Sequence, residues 1–208
     1  MSGWNGHIKR ICEIPAPLLK AVNERLRALV ASDPMYWEAH DEVKPNKFGI
    51  FSQTTQHIAL GFPATMLRHR GAPQRYAAWA DWEDVVQPII SLVTSRYRYE
   101  RVQVNRIMLA KLLAGREIPI HVDTDPSSRI PHKVHVPLVT TRKVELVEAN
   151  RWYHLSRGYA YEVNNQIPHG GANRGTVDRV HLIFDFFERP TRRRGARGDR
   201  RQTIRRAI

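Results

Sequence analysis

Two imidazoles and a carboxylate occur at positions where they could share one metal ion. His121 and Asp123 are two residues apart in the segment EIPIHVD, so both side chains point to the same face of an extended strand. His169 follows much later, in a predicted turn between a proline and two glycines. Two imidazoles and one carboxylate can bind one face of an octahedral metal and leave three positions for a chelating cosubstrate and dioxygen. The pattern predicts a non-haem Fe(II) oxygenase centre with His121, Asp123 and His169 as metal ligands and catalytic residues.

Each of these motifs also has a simpler interpretation. A His-x-Asp sequence is common by chance, and a histidine before two glycines is commonly a turn residue. Zinc would need one further ligand, and Cys12 is the only cysteine, which excludes a cysteine zinc cage and an intramolecular disulfide. The order of the motifs along the chain is what favours iron.

Arg179 opens the alternating segment RVHLIFDF, ten residues after His169. An always-charged guanidinium on a core strand needs an anion. A dicarboxylate cosubstrate whose far carboxylate reaches Arg179 would supply that anion, and two-pronged pairing explains arginine rather than lysine. His181 shares the strand face of Arg179, so it either lines this pocket or packs within the sheet.

The elements that must position these residues change character along the chain. Helical spacing predicts a helix over Leu18–Val30 and a second within Trp82–Tyr97, capped by Asp81 or Asp84. A strand is predicted over roughly Phe48–Phe62. From residue 101 the period becomes two, in the segments RVQVNRIML, EIPIHVD, KVHVPLV, KVELVE, RWYHLS, YAYEV and RVHLIFDF. Such segments predict antiparallel strands in a sandwich or jelly roll, with the helices on one side.

Three motifs together resemble the aspartyl/asparaginyl β-hydroxylase family over roughly Val102–Phe187. They are His121-Val-Asp123, the segment KVHVPL, and the segment NNQIPHGGAN followed by DRVHLIFDF. The resemblance implies an Fe(II)- and 2-oxoglutarate-dependent dioxygenase on a double-stranded β-helix, a jelly roll of cupin-like form. It also implies hydroxylation of an amino-acid side chain, either of an aspartyl or asparaginyl type in a peptide or of a free amino acid such as proline.

The resemblance assigns roles residue by residue. His121, Asp123 and His169 correspond to the iron ligands, and a carboxylate at position 123 favours hydroxylation over halogenation. Arg179 corresponds to the arginine that binds the far carboxylate of 2-oxoglutarate. The family's R-x-H motif becomes Lys133-Val-His135, so both residues are assigned to the cosubstrate, although lysine lacks the fork of arginine.

Several neighbouring residues receive weaker assignments. Asn164, Asn165 and Asn173 are expected to shape turns around the second histidine, and His132 is assigned to the surface. Asn105 and Arg106 point to opposite faces of one strand, and one of them is expected to face the pocket. The segment LRHRGAPQR, residues 67–75, and the predicted strand before it could wall a substrate groove; a basic wall favours an acidic substrate, and a solvated loop is the alternative.

The basic charge is concentrated at one end of the chain. The net charge is +13 over 208 residues, of which the segment 189–208, with nine arginines and one aspartate, carries +8. The body therefore carries +5. We divide the chain into flanking helices and strands (1–100), the β-helix core (101–188) and a flexible arginine-rich tail (189–208).

This tail suggests an alternative function of a different class. A non-catalytic protein could bind nucleic acid or an anionic particle through it, and such binding should be independent of sequence because the tail lacks aromatic residues. A barrel that has lost its chemistry is a third possibility, which the complete ligand set argues against. The absence of a secretory signal or a membrane-length apolar run predicts a cytoplasmic protein.

Overall fold

Antiparallel strands and three helices account for most of the described chain. The computed structural model describes residues 6–45, 47, 49–51, 53–64 and 73–189. The helices are α1 (Ala16–Ser32), α2 (Tyr36–Glu42) and α3 (Trp79–Thr94), and short 3-10 turns span Gly49–Phe51 and Pro126–Ser128. The strands are β1 (Lys9–Glu13), β2 (Thr55–Pro63), β3 (Pro73–Arg75), β4 (Val102–Leu112), β5 (Glu117–His121), β6 (His132–Val139), β7 (Val144–Glu148), β8 (Arg151–Tyr153), β9 (Tyr159–Val163), β10 (His169–Asn173) and β11 (Arg179–Glu188).

These strands form two sheets. The larger has the order β1-β9-β6-β11-β4-β2-β3, and the smaller has the order β5-β10-β7-β8. All pairings are antiparallel. The predicted fold class, mainly β with flanking helices, is confirmed. Strands β1 and β2, from the N-terminal part of the chain, extend the larger sheet on its two sides.

The helices bury the outer face of the larger sheet. Helix α1 presents Leu19, Val22 and Leu26 at helical spacing to this core, and α3 adds Trp82 and other apolar residues. The predicted helices are both observed, with α1 two residues longer at each end and α3 beginning and ending three residues earlier than its predicted range.

The predicted cap of the second helix is wrong. Residue Ala78 precedes α3 and no side chain caps it, because the helix begins early enough to place Asp81 inside its first turn. Asp84 lies further along, and its carboxylate pairs with the Arg25 guanidinium at 2.8 Å. That ion pair ties α3 to α1.

Strand β11 has two chemically different faces. Val180, Leu182, Phe184 and Phe186 pack into the core beneath the helices. The alternate residues point to the opposite face, towards the smaller sheet. These are Arg179, His181, Ile183 and Asp185, and all four are buried. A buried polar row of this kind needs partners, and it locates the candidate site between the sheets.

Strand β2 begins later in the chain than predicted. Within the predicted strand Phe48–Phe62, Gly49–Phe51 form a 3-10 turn, and the extended part starts at Thr55. None of the described helices is long and apolar enough to span a membrane. Residues 65–72, which include most of the segment LRHRGAPQR, and residues 190–208 lie outside the described part, so the basic wall and the binding role of the tail stay predictions.

Candidate metal centre and adjoining pocket

His121, Asp123 and His169 come together at one end of the space between the sheets. One potential ligand atom from each lies within 4.8 Å of the other two. The Nε2 atoms of His121 and His169 are 3.6 Å and 4.0 Å from Asp123 Oδ1. The structure thus brings the three predicted metal ligands into one cluster, with two imidazoles and one carboxylate oxygen converging.

Strand pairing places the two histidines side by side. His169 is paired with His121 across β10 and β5, and their ring centroids are 4.3 Å apart. His169 was predicted in a separate turn, but it is the first residue of β10. Asp123 lies just beyond the end of β5 rather than on it, and its side chain still reaches the cluster.

The second nitrogen of each imidazole is held by a backbone carbonyl. His121 Nδ1 donates to Pro119 O at 2.8 Å, and His169 Nδ1 donates to Ile167 O at 3.0 Å. These bonds fix the tautomer and leave Nε2 as the lone-pair donor in both rings, which is the arrangement a metal ligand requires.

The two oxygens of the Asp123 carboxylate have different partners. Its Oδ2 accepts hydrogen bonds from Lys133 Nζ at 2.8 Å and from Asn165 Nδ2 at 3.0 Å. Its Oδ1 faces the two imidazoles. Asn165 also accepts the backbone N–H of Asp123 through its own carbonyl at 3.0 Å. Asn165 therefore orients the predicted ligand directly, a role that the sequence indicated only as turn formation.

The pKa values of Asp123 and His169 favour the binding of a cation by this cluster. Burial raises the pKa of Asp123, but the Lys133 ammonium, followed by His169 and the hydrogen bonds from Lys133 and Asn165, outweighs it and holds the pKa well below its usual value. Burial lowers the pKa of His169 to about 4. At neutral pH the group therefore presents an ionised carboxylate and a neutral His169 imidazole, the protonation states in which both bind metals.

A cavity runs from this cluster to Arg179. Its volume is about 110 Å³, and its wall includes the three predicted metal ligands together with Lys133, His135 and Arg179. Arg179 is 3% exposed, and its Nε and Nη1 atoms have no hydrogen-bond partner among the described residues. Burial lowers its pKa to about 10, so the guanidinium stays charged at neutral pH. The cavity thus holds a buried cation for which the described part of the chain provides no carboxylate partner.

Two further histidines pack beside Arg179. His135 Nδ1 and His181 Nδ1 are 3.3 Å apart, so one ring donates to the other. His181 is fully buried and its Nε2 has no partner in the described part of the chain, whereas His135 reaches the cavity wall. Burial, followed by the nearby Arg179 charge, lowers the pKa of both rings well below the ordinary value.

These buried neutral imidazoles predict loss of stability in acid. Above the unfolded-state pKa of about 6.5, His181 is neutral whether the chain is folded or not. As the pH falls from there, the unfolded chain takes up a proton that the folded chain rejects, so His181 lowers the free energy of unfolding by up to about 1.4 kcal/mol per pH unit. We expect His181→Gln to reduce this pH dependence by about that amount in urea unfolding of the metal-free protein between pH 7 and 5. Equal slopes for wild type and variant would contradict a neutral buried His181.

Arg106 is the strand residue that faces the pocket, while Asn105 is buried on the opposite face. The Arg106 guanidinium lies 3.2 Å from Asp185 Oδ2 and 3.7 Å from Asp125 Oδ1, and it donates to Ser127 and Ser128 at 3.3 Å. Arg106 therefore fastens the turn that follows Asp123 to the larger sheet.

Two other assignments are settled by hydrogen bonds. His132 is not a surface residue: its ring bonds to Glu162 and lies 2.5 Å from Tyr99 Oη, on the helix-covered side of the sheet. Asn164 and Asn173 shape turns, as predicted, because their side-chain oxygens accept the backbone N–H of the residue two positions later.

Comparison with known proteins agrees with this geometry. The sequence model described as aspartyl/asparaginyl beta-hydroxylase matches residues 84–190, just over half of the chain. No curated protein sequence matches.

Among solved structures, an oxidoreductase of the 2OG-Fe(II) oxygenase family from Burkholderia pseudomallei aligns with a TM-score of 0.52 and 13% identity, over 86% of this chain and 92% of that one. EvdMO1 aligns with a TM-score of 0.53 and 12% identity, over 89% of this chain and 48% of that protein, so the chain spans about half of its length. At these identities the structural matches are evidence for the fold alone, and they confirm the double-stranded β-helix.

The family assignment rests on the sequence match, and the fold and the converging His-Asp-His cluster agree with it. The chain belongs to the aspartyl/asparaginyl beta-hydroxylase family of iron(II)- and 2-oxoglutarate-dependent oxygenases.

Proposed function

We propose that the protein hydroxylates an amino-acid side chain, with iron(II) held by His121, Asp123 and His169 and with 2-oxoglutarate bound between this centre and Arg179. The observation that carries the proposal is the buried guanidinium of Arg179, which lies at the wall of the same cavity as the ligand cluster and has no carboxylate partner among the described residues. A dicarboxylate that chelates a metal at one end and pairs with an arginine at the other fits these two features together.

The residues present fit an iron ion in its usual ligand set. Asp123 uses Oδ2 for Lys133 and Asn165 and keeps Oδ1 for the metal. His121 and His169 offer Nε2 while backbone carbonyls hold their Nδ1–H groups. With dioxygen and 2-oxoglutarate, such an iron centre supplies the oxidation that turns a C–H bond into C–OH, while the cosubstrate is converted to succinate and carbon dioxide.

The chain's own contribution is to bind, orient and exclude water. Arg179 neutralises the far carboxylate, and His135, which has its ring in the cavity wall, supports the cosubstrate beside it. Lys133 lies close enough to serve two purposes, because one of its three donors is used on Asp123 and the others are left for the cosubstrate. Apolar residues such as Met108 and Ile183 line the same cavity and limit the entry of water.

The substrate proposed from the family is the side chain of an aspartyl- or asparaginyl-type residue in a peptide, or a free amino acid such as proline. Phe51, Ile118 and Leu146 line the same cavity as the ligand cluster, so the part of a substrate that enters beside the metal would meet apolar as well as charged side chains.

The test is anaerobic reconstitution with Fe(II) and 2-oxoglutarate, followed by the weak visible charge-transfer band of the chelated metal. We expect the band in the wild type and in Arg174→Ala, which removes an exposed arginine that stacks on Trp152 outside the cavity. In Arg179→Ala the affinity for 2-oxoglutarate should fall by about 100-fold, since charge-assisted hydrogen bonds are worth about 1.5–3 kcal/mol each. A folded, iron-loaded wild type without the band would refute the proposed cosubstrate.

A further inference from the structure

His57 lies in the cavity wall although it falls outside the part of the chain that matches the family. The match begins at residue 84, whereas His57 belongs to β2. Across the larger sheet His57 is in register with Ala110 of β4, which is in turn in register with His181 of β11. The neighbouring row is Thr55, Leu112 and Arg179. The imidazole is therefore one row from the guanidinium and on the same inward face.

The space that His57 occupies is left by a small residue on the central strand. Ala110 has only a methyl group, is 3% exposed and lines the cavity together with His57. With a larger side chain on β4 the cavity would be closed from that strand. Here an imidazole of the adjacent strand fills the corner next to Arg179.

Phe51 continues this wall to the ligand cluster. Its ring centroid is 6.0 Å from that of His57 and 5.4 Å from that of His121, and both contacts are edge-to-face. Phe51 and His57 thus line one side of the cavity from the predicted metal ligand to the arginine end. The distance between those two ends is what a cosubstrate chain must span.

Asp41 holds the backbone of His57 from the side opposite the cavity. Asp41 Oδ1 accepts the backbone N–H of His57 at 2.6 Å and is itself paired with Lys44 Nζ at 2.6 Å. The imidazole Nδ1 lies 3.8 Å from the same oxygen, which is too far for a hydrogen bond, and has no other partner among the described residues. Burial, followed by the charges of Lys44 and Arg179, lowers the pKa of His57 to about 3. The ring is neutral, so it contributes shape rather than charge.

We propose that His57 closes the arginine end of the cosubstrate pocket and limits the length of the 2-oxo dicarboxylate that the enzyme accepts. The inference rests on the proposed function, since it assumes that 2-oxoglutarate lies between the ligand cluster and Arg179. It adds a specificity-determining residue from a strand that the family match does not include.

The experiment compares 2-oxoglutarate with 2-oxoadipate, which is one methylene longer, by anaerobic titration of the Fe(II)-loaded protein. Wild type should prefer 2-oxoglutarate by about 10-fold or more, the range for one methylene in a fitted pocket. His57→Ala should reduce this preference by about 10-fold, with 2-oxoadipate binding more tightly than in wild type. Gln56→Ala is the matched control, because Gln56 is the next residue on β2, points away from the cavity and contacts Glu38 of α2. It should keep the wild-type preference.

The outcomes separate this inference from the proposed function. A wild type that binds neither acid would refute the function itself. A wild type that prefers 2-oxoglutarate, with the same preference in His57→Ala, would overturn the role of His57 and leave the function intact. Equal weakening of both acids would also overturn it, because length would then not be what His57 controls. If His57→Ala fails to fold, His57→Asn supplies a smaller polar side chain, and the same relative gain for 2-oxoadipate is expected.

Discussion

Asp123→Ala is expected to abolish turnover and to lower the affinity for Fe(II) by 100-fold or more. Loss of a residue that only supports a metal ligand costs about 10–100-fold in affinity, and loss of a ligand should cost more. Asp123 supplies the negative charge in the predicted ligand set, and its removal leaves the buried Lys133 without its 2.8 Å carboxylate partner. An unpaired ammonium beside the metal would repel the cation as well.

Two companion variants separate the loss of a ligand from the loss of charge balance. His169→Ala removes an imidazole and leaves the Asp123–Lys133 pair in place, so it should lose iron and turnover to a similar extent. Asp123→Asn keeps the size of the side chain but loses its charge, and it should bind Fe(II) as poorly as the alanine variant.

Iron content after anaerobic loading and 2-oxoglutarate consumption are the measurements. Glu117→Gln is the control, because Glu117 is a solvent-exposed carboxylate on the same strand as His121 and points away from the cluster. Full iron binding in both Asp123→Ala and His169→Ala would show that the metal is bound elsewhere.

The strand pattern made most of the fold predictable. A period of two is present in strands β4 to β9 and in β11, because one face of each packs into a core and the other faces the second sheet or solvent. Strand β10 was not predicted, because its sequence HGGAN is typical of a turn. Helix α1 was predictable because one of its faces packs into the core, which gives its apolar residues a period of 3.6. Helix α2 and strand β1 were not, since seven and five residues are too short for periodicity to stand out, and only Tyr36 and Trp37 of α2 are buried.

The ligand cluster could be predicted because its parts are carried by short local motifs. His121 and Asp123 are two residues apart, and the position of His169 follows from a recognisable sequence. The residues around the ligand cluster and the cavity could not be predicted in this way. Asn165 contacts Asp123 across 42 positions of the chain, and His57 reaches the cavity only through the register of β2 on β4. Neither contact is marked by a local sequence pattern, so the sequence indicated Asn165 only as a turn residue and did not single out His57.

The local sequence pattern around Lys133 did not predict its bond to Asp123. In the R-x-H comparison it stands for a cosubstrate contact, and in the structure its ammonium is bonded to Asp123. Burial lowers the pKa of Lys133, but the Asp123 and Asp185 carboxylates outweigh burial and raise it, so the charge is kept. A residue that bonds the predicted ligand and also lines the cavity would couple the metal end of the pocket to the proposed cosubstrate.

Gly170→Ala is the second substitution expected to have a large effect, and it explains why glycines follow His169. A Cβ at position 170 would lie 2.7 Å from Ile118 O and 3.2 Å from Pro119 O, both backbone atoms of β5. Strand β10 is held between β5 and β7, so it has no free side towards which it can shift. Relief therefore requires β5 to move away, at a cost of about 1–3 kcal/mol or more in the free energy of unfolding.

That movement acts directly on the predicted metal centre. The carbonyl of Pro119, one of the two atoms that the new methyl group would meet, accepts the Nδ1–H of His121 and so orients the ring. Displacing it should lower the affinity for Fe(II) by about 10–100-fold, as for other losses of support to a ligand. Thermal unfolding and anaerobic iron titration would measure the two effects on the same sample.

A series of glycine variants makes the test specific. At Gly171 the nearest backbone atom would be Glu145 O at 3.2 Å, so Gly171→Ala should be milder. At Gly49 a Cβ would meet nothing within 4 Å, and the backbone needs no left-handed conformation there, so Gly49→Ala should match wild type. The expected order of destabilisation is Gly170, then Gly171, then Gly49. If Gly170→Ala melted and bound iron like Gly49→Ala, close packing of β10 against β5 could not be what holds His121 and His169 together.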